Sequence, residues 1–356
     1  MIYIWTFNCE GNIVQSFLNP LQIGHLTTRH NLVLAPLAGI SNYPFREICR
    51  EFGADLTFTE MVSVDGMLYQ NDSTLRLLKI YAHEHPIGFQ FFGSNPDIFK
   101  KIIPEILPLK PSLIDINFGC PVRKVVAKGA GAALLRDLKR LEEIVAAVRS
   151  VSPLPVTAKI RTGWDSQSIV VVDAARAAEA GGADAITVHA RTRSQGYSGK
   201  ASWEYIAEVK ENIAVPVIGN GDVIDGASAL KMLQSTGSDG LMLARGILGK
   251  PWVFREIIAF LQGREVPVQP GIAERFQIMQ KHYEMEVEEF GEAVALPQMR
   301  KHFAWYTHGL PQATKLRDQI FKLKTFTRIL KMFREYEKSQ LVSDLSEYSS
   351  IRSGNN

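Results

Sequence analysis

Cysteine is scarce in this chain. Three cysteines in 356 residues, Cys9, Cys49 and Cys120, are too few and too scattered for a disulfide framework or a metal cluster. Long hydrophobic runs are missing as well: none approaches the roughly 18 apolar residues of a membrane span. The first 19 residues lack a basic stretch and are interrupted by Glu10, so they do not read as a secretory signal. Charge of one sign is not in great excess, with a formal net charge of +3. At 46% hydrophobic and 22% charged residues, wholesale disorder is excluded. What remains is a soluble protein with free thiols and no metal, expected in the cytoplasm.

What is present is a repeating beat. From Leu32 onward, short apolar runs alternate with helix-like stretches: Leu32–Ala35, Leu56–Thr59, Ile87–Phe92, Leu113–Phe118, Val156–Ile160, Ala185–Ala190, Val215–Gly219 and Gly240–Ala244. Most are continuously apolar, as parallel strands buried on both faces require. Amphipathic segments such as Leu141–Ser150 and Val170–Gly181 lie between them, the latter closed by Gly181 and Gly182 as a helix stop. Eight such units over about 220 residues predict an α/β fold, a TIM (β/α)8 barrel, with an open doubly wound sheet as the alternative. Strand starts are 24 to 31 residues apart except from Leu113 to Val156, which is 43. The surplus follows the fourth strand and holds Gly119-Cys120-Pro121 and the small-residue run Lys128–Ala132. Long loops at the C-terminal ends of barrel strands are where such folds keep active-site covers.

After Trp252 the strand signal stops. Pro267, Pro270 and Gly271 punctuate a linker, and Arg275–Phe290 and Ala313–Tyr336 read as helices separated by the aromatic-rich stretch His302–Pro311. The expected organisation is a strand-and-turn prelude at 1–24, the barrel at 25–262, a C-terminal all-helical domain at 263–340 and a flexible tail at 341–356. Between Gln298 and Gln340, ten Lys and Arg face three acids, a local excess of +7 that leaves the rest of the chain at −4. A basic segment on an acidic body points to a polyanionic partner, although a solvated helical face has the same composition.

Barrels often bind phosphate with the loops after strands seven and eight. Here those positions hold Gly219-Asn220-Gly221-Asp222 and Ala244-Arg245-Gly246. Glycine lets backbone N–H groups approach an anion, and an arginine can fork onto it. Gln90 lies within the third strand, Lys159 within the fifth, and His189 and Arg191 end the sixth. A lysine inside a barrel strand faces a ligand or a carboxylate, with Asp115 and Glu60 as candidates for an internal ion pair. Together these polar residues at strand ends read as contacts to the edge of a polar cofactor. Cys120, between a glycine and a proline just past a strand end, is placed at the pocket mouth, whereas Cys49 and Cys9 read as structural.

Five ordered motifs now carry a resemblance: Ala35-Pro36-Leu37-Ala38-Gly39, Gln90-Phe91-Phe92-Gly93, Asn117-Phe118-Gly119-Cys120-Pro121, His189-Ala190-Arg191-Thr192-Arg193 and Asn220-Gly221-Asp222. With Met299–Tyr306 and Gly309-Leu310-Pro311 in the helical part, they resemble the tRNA-dihydrouridine synthases from about Leu32 to Met332. The departures are Leu37, where the family usually has Met, and Ala244, where Gly is common. The resemblance implies FMN at the barrel mouth, NADPH as its reductant, and hydride transfer to C6 of a uridine in tRNA while a cysteine protonates C5. Cys120 would be that acid. Pro36, Leu37 and Ala38 would lie against the flavin ring, with Gln90 and Lys159 on its polar edge. His189, Asn220, Gly221, Asp222, Ala244 and Arg245 would hold the phosphate arm. Asn117, Arg191, Arg300, Lys324, Arg328 and Lys331 would meet the tRNA, the last three from one helical face, in a protein expected to be a monomer.

Two other classes fit parts of the pattern. A flavin barrel acting on a free pyrimidine, similar to dihydroorotate dehydrogenase, leaves the basic C-terminal segment without a purpose. An RNA-binding protein on a barrel scaffold leaves Cys120 and the paired phosphate loops unexplained.

Overall fold

The computed structural model describes residues 5–7, 13–15, 17–69 and 72–353, with side chains from 17 to 69 and 74 to 340. The expectation for Cys9 lies outside the described residues. The chain divides into two compact units, Met1–Ile247 with Val253–Pro267, and Leu248–Trp252 with Val268–Asn356.

The first unit is a parallel barrel. Its strands are β1 (Leu32–Leu34), β2 (Thr57–Phe58), β3 (Ile87–Phe92), β4 (Leu113–Asn117), β5 (Val156–Arg161), β6 (Ala185–His189), β7 (Val217–Asn220) and β8 (Gly240–Leu243). They pair in the order β1-β8-β7-β6-β5-β4-β3-β2. The ring is completed by a parallel bridge from Val33 to Leu56 and the Leu34 N–H donating to the Leu56 carbonyl at 2.9 Å. Each predicted apolar run overlaps one of these strands, and the open-sheet alternative is excluded by that closure. Alternating inward residues, among them Val33, Phe58, Leu113, Ala185, Ile218 and Met242, fill the interior.

One end of that interior is plugged from outside the strand set. A two-stranded hairpin, Gln22–Ile23 with Leu26–Thr27, inserts Leu21 and Ile23 into the same cluster at 1% and 0% exposure. Burying each contributes about 1.5–3 kcal/mol, which gives this part of the prelude a structural role. A further antiparallel pair, Trp5–Phe7 with Ile13–Gln15, precedes it.

The surrounding helices are α1 (Tyr43–Glu51), α2 (Pro96–Ile106), α3 (Leu138–Arg149), α4 (Val171–Ala180), α5 (Glu204–Asn212), α6 (Gly226–Thr236) and α7 (Val253–Leu261). Their starts are set by local chemistry. Asn42, Asn95, Asp137 and Asp225 each accept an N–H from the first turn of the helix they precede, and Pro44 and Pro96 occupy first-turn positions that need no donor.

The second unit is helical: α8 (Ile272–Phe290), α9 (Glu292–Tyr306), α10 (Ala313–Ile320) and α11 (Phe326–Ser353). Its core is aromatic, with Tyr283 stacked on Phe326 at 3.5 Å between centroids and Phe276 against Phe333 at 4.5 Å. Three expectations are corrected here. Between the two expected helices, where only an aromatic-rich separating stretch at His302–Pro311 was read, lies helix α9, hidden because Pro297 lies inside it and a proline normally argues against a helix interior. The helix expected over Ala313–Tyr336 is broken at 321–325, since Leu316, Ile320, Phe326, Ile329 and Phe333 must all reach the core. The tail expected from 341 continues α11 to Ser353, while 354–356 lie outside the described residues. Among the described residues no helix is long and apolar enough to cross a membrane.

Candidate active site at the barrel mouth

Parallel strands bring their C-terminal ends to one rim, and the predicted polar residues gather there. The most ordered feature is a chain of hydrogen bonds running up through β3, β4 and β5. Asp115 on β4 is 1% exposed and accepts from Gln90 Nε2 and from Thr157 Oγ1, both at 2.6 Å. Gln90 Oε1 accepts from Asn117 Nδ2 at 2.9 Å, and Asn117 Oδ1 accepts the backbone N–H groups of Gly119 and Cys120 at 3.0 and 2.8 Å. An ionised carboxylate only accepts, so the orientation of both amides follows from Asp115. The end product is a fixed turn presenting Cys120.

Gln90 is bonded through both ends of its amide and is 1% exposed, and in this way it orients Asn117. Asn117 likewise spends its side chain on the turn. Burial raises Asp115 to about 6, with the hydrogen bonds from Gln90 and Thr157 and the charge of Lys159 pulling back.

Cys120 is 8% exposed. Burial raises its thiol pKa above the ordinary value, opposed by a backbone hydrogen bond from Val122 and by Arg161. The thiol is therefore held protonated at neutral pH, the state an acid needs and a nucleophile does not. Arg161 escaped the sequence reading. Its Nε donates to the Gly119 carbonyl at 2.7 Å, and its Nη1 to the carbonyls of Thr192 and Gly196 at 2.9 and 2.8 Å. The available signal was its position, two residues after Lys159 on the same strand and hence on the same face.

Lys159 makes no ion pair with Asp115 or Glu60. Its Nζ donates to Asn220 Oδ1 at 3.2 Å, and Asn220 Nδ2 donates to the Met242 carbonyl at 2.7 Å. Burial, then the charge of Arg161, lowers Lys159 to about 7, with Asp115 opposing. His189 is held well below its usual value by burial and by Lys159, Arg161, Arg191 and Arg245, and is neutral at pH 7.

The loops after β6, β7 and β8 form the second part of the site. Arg191, expected to face the substrate, is 2% exposed and donates to the Ser198 and Gly199 carbonyls and to both oxygens of Asp222 at 2.7 and 2.8 Å. It belongs to the interior of the cradle, and Asp222 holds it there rather than meeting an anion. Arg191 Nη1 is buried with no hydrogen-bond partner. Arg245 lies over the Tyr197 ring at 4.9 Å and is 46% exposed. Gly221 has φ +136, and a Cβ there would come within 2.8 Å of Ala201. A Cβ on Gly246 would meet the Val223 carbonyl at 2.3 Å, so glycine is what lets the loops after β7 and β8 touch. Pro36 and Leu37 are half-buried and Ala38 exposed just past β1, and Leu37 and Ala244 pack on the end of the barrel core.

In the helical unit, Arg300 lies exposed on α9 and Arg328 and Lys331 on α11, with Lys331 3.9 Å from Glu335. Lys324 is exposed too, but in the break before α11, so the expected three-residue helical face holds only for Arg328 and Lys331.

A buried protonated thiol, a lysine poised near neutrality and a cation-lined cradle on one rim define an enzyme of the (β/α)8-barrel class. Residues 33–341 match the sequence pattern of the dihydrouridine synthase family (Dus), and the chain belongs to that family. It is 37% identical over 301 residues to a Rickettsia conorii protein named "Probable tRNA-dihydrouridine synthase", covering 84% of this chain and 91% of that one. It is 38% identical over 309 residues to tRNA-dihydrouridine synthase B of Pseudomonas aeruginosa, covering 86% and 92%. Among solved structures, histamine dehydrogenase from Rhizobium sp. 4-9 superposes with a TM-score of 0.54 at 14% identity, covering 76% of this chain and 51% of that one. The chain thus spans about half of that structure, and the likeness is one of fold.

Proposed function

We propose that this protein reduces the C5–C6 double bond of uridines in tRNA, using FMN held at the barrel mouth and NADPH as reductant, in the cytoplasm. The observation that carries the proposal is Cys120: a thiol kept protonated by burial, fixed by a polarised hydrogen-bond chain, beside a cluster of cations.

The cradle suits a flavin phosphate on three counts. Arg191 Nη1 is a buried donor without a partner, Gly221 and Gly246 leave room that a side chain would fill, and Lys159, Arg161, Arg191 and Arg245 are close enough to His189 to suppress its protonation. Asp222 alone is ion-paired in that cluster, to Arg191 at 2.7 Å, with Arg245 3.9 Å away. Excess positive charge in a half-buried site is relieved by a bound anion. Arg191, Arg245, His189 and the backbone at 220–222 and 244–246 would hold the phosphate, and Lys159 would lie at the polar edge of the ring, with Pro36, Leu37 and Ala38 against its face. The flavin, when bound, supplies the hydride for uracil C6.

The remaining steps belong to the chain. Cys120 delivers a proton to C5 and recovers it from solvent. Lys159, near neutrality when unliganded, gains a proton as negative charge arrives and stabilises it. Arg161 holds the Gly119 carbonyl, so that the turn carrying the thiol does not swing out. A uridine stacked within folded tRNA must be turned out to reach the thiol, and a grip on the neighbouring phosphates supplies the binding needed. Residues 263–340, with Arg300, Lys324, Arg328 and Lys331, give part of that grip.

The test is direct. The purified protein should be yellow and release FMN, Arg245→Ala should weaken flavin retention, and tRNA from cells lacking the protein should lose dihydrouridine at defined positions that the protein restores in vitro. Restoration on free uridine at a comparable rate would support the free-pyrimidine alternative, and a colourless protein the scaffold alternative.

A further inference from the structure

The rim of the barrel carries a second arrangement that the chemistry of the thiol and the cradle leaves unused. Trp164, in the loop after β5, has two guanidinium groups over its ring: Arg136 Cζ at 3.5 Å from the centroid and Arg193 Cζ at 4.5 Å. The three residues come from three successive loops, after β4, β5 and β6, on the C-terminal side of the barrel.

Two like charges sharing one indole repel each other, and each is attracted to the ring quadrupole. Such a pair is usually neutralised by carboxylates, and here it is not. Neither guanidinium makes an ion pair or a side-chain hydrogen bond, and Arg193 Nε is buried without a partner. The acids adjacent in sequence are engaged elsewhere. Asp137 accepts the Arg140 N–H at the start of α3, and Asp165 accepts from Gln167 N–H and Ser168 Oγ. More positive charge stands exposed on the loop after β4, at Arg123, Lys124 and Lys128.

The stack is also fastened to the frame that holds the thiol. The Arg193 N–H donates to the Gly163 carbonyl and the Ser194 N–H to the Trp164 carbonyl, both at 2.9 Å, joining the loops after β5 and β6. Arg136 ends the 3-10 turn Gly131–Arg136, whose Ala132 N–H donates to the Cys120 carbonyl at 3.1 Å. A ligand gripped by the two arginines is therefore registered against Cys120 through backbone bonds rather than through flexible side chains.

We propose that Arg136 and Arg193, held by Trp164, form a phosphate clamp on the barrel itself that grips the RNA backbone beside the turned-out uridine. With two guanidinium groups over its ring, Trp164 acts as a spacer and not as a platform for a base. The ligand chemistry follows from the donors: two planar forks with free N–H groups match phosphate oxygens bidentately. The proposal rests on the tRNA-reducing reading above.

The experiment measures binding of an unmodified tRNA transcript as a function of salt. In Arg136→Gln/Arg193→Gln, two lost phosphate contacts should lower the log–log salt slope by about 1.4–1.8 and weaken binding roughly ten- to thirtyfold near 0.15 M salt. Arg136→Lys/Arg193→Lys should keep most of the slope, and Trp164→Leu should keep the slope while raising KM for tRNA. Flavin content and thermal midpoint serve as fold controls. If the glutamine double variant matches wild type in slope and affinity, or loses thermal stability with its slope unchanged, the clamp is refuted and the stack is packing. If the wild-type protein forms no dihydrouridine and binds tRNA without salt dependence, the functional proposal itself fails.

Discussion

Reversing the polarity of the Asp115–Gln90–Asn117 chain is the sharpest available test of how Cys120 is positioned. Asn117→Asp keeps the single oxygen that accepts from both Gly119 and Cys120 but replaces the donor facing Gln90 Oε1, now at 2.9 Å, with an acceptor. Gln90 cannot turn its amide over, because its Nε2 is required by the Asp115 carboxylate at 2.6 Å. Two buried acceptors are left facing each other, at a cost of about 2–4 kcal/mol. Asp115→Asn alone is milder. Its amide oxygen still accepts from Gln90, its new donor can reach Thr157 Oγ1 once that hydroxyl rotates, and a buried charge is removed; a net change within about 1 kcal/mol follows.

The double variant Asp115→Asn/Asn117→Asp should recover most of the loss. Asn at 115 donates to Gln90 Oε1, the flipped Gln90 donates to Asp at 117, and that carboxylate still accepts both N–H groups of the turn. A coupling energy of about 2 kcal/mol is expected between the two sites. The assay is denaturant unfolding of flavin-free protein at pH 8, above the value of about 6 to which burial raises Asp115, so that the carboxylate is ionised. Singles whose effects add to within about 0.5 kcal/mol in the double variant would refute the claim that Asp115 sets the direction of the chain.

Three further outcomes are expected. Cys120→Ala should retain flavin and its reduction by NADPH, while reoxidation by tRNA slows by about 10²–10⁴-fold in stopped-flow measurements. The folded-state value of Lys159, lowered to about 7 from 10.5, means the unfolded chain binds more protons between those values; flavin-free wild type should therefore gain stability as pH rises from about 7 to 10.5, and Lys159→Met should lose that gain in a pH series of unfolding curves. Neutralising Lys324, Arg328 and Lys331 together should flatten the salt slope for tRNA binding by roughly two to three units, whereas a drop in thermal midpoint with an unchanged slope would assign that charge to a solvated face.

The barrel was legible because a parallel strand buried on both faces leaves little choice of residue, and eight such runs at near-regular spacing leave little choice of closure. Ile87–Phe92 is strand from the first predicted residue to the last. The helical unit was less legible for an equally physical reason. Pro297 and the aromatic clustering around His302 argue locally for a break, and tertiary packing of Met299, Phe303 and Tyr306 overrides them. The converse holds at 321–325, where uninterrupted helical composition hides a break that only the shared aromatic core demands.

Within the site, residue types were readable but their directions were not. Gln90, Asn117 and Asp222 were each expected to face a ligand, and each is bonded to a protein partner that lies far away in sequence, 25 residues for Gln90 and 31 for Asp222. A polar residue at a strand end announces that chemistry is near without saying whether it performs the chemistry or holds the group that does. The sorting comes from valence. Asp115 only accepts, so it fixes Gln90; Gln90 fixes Asn117; Asn117 has two lone pairs left, and the Gly119 and Cys120 N–H groups take them. What remains unspent after that accounting, the Cys120 thiol, the buried donor of Arg191 and the two guanidiniums on Trp164, is what the fold leaves free to meet something other than itself.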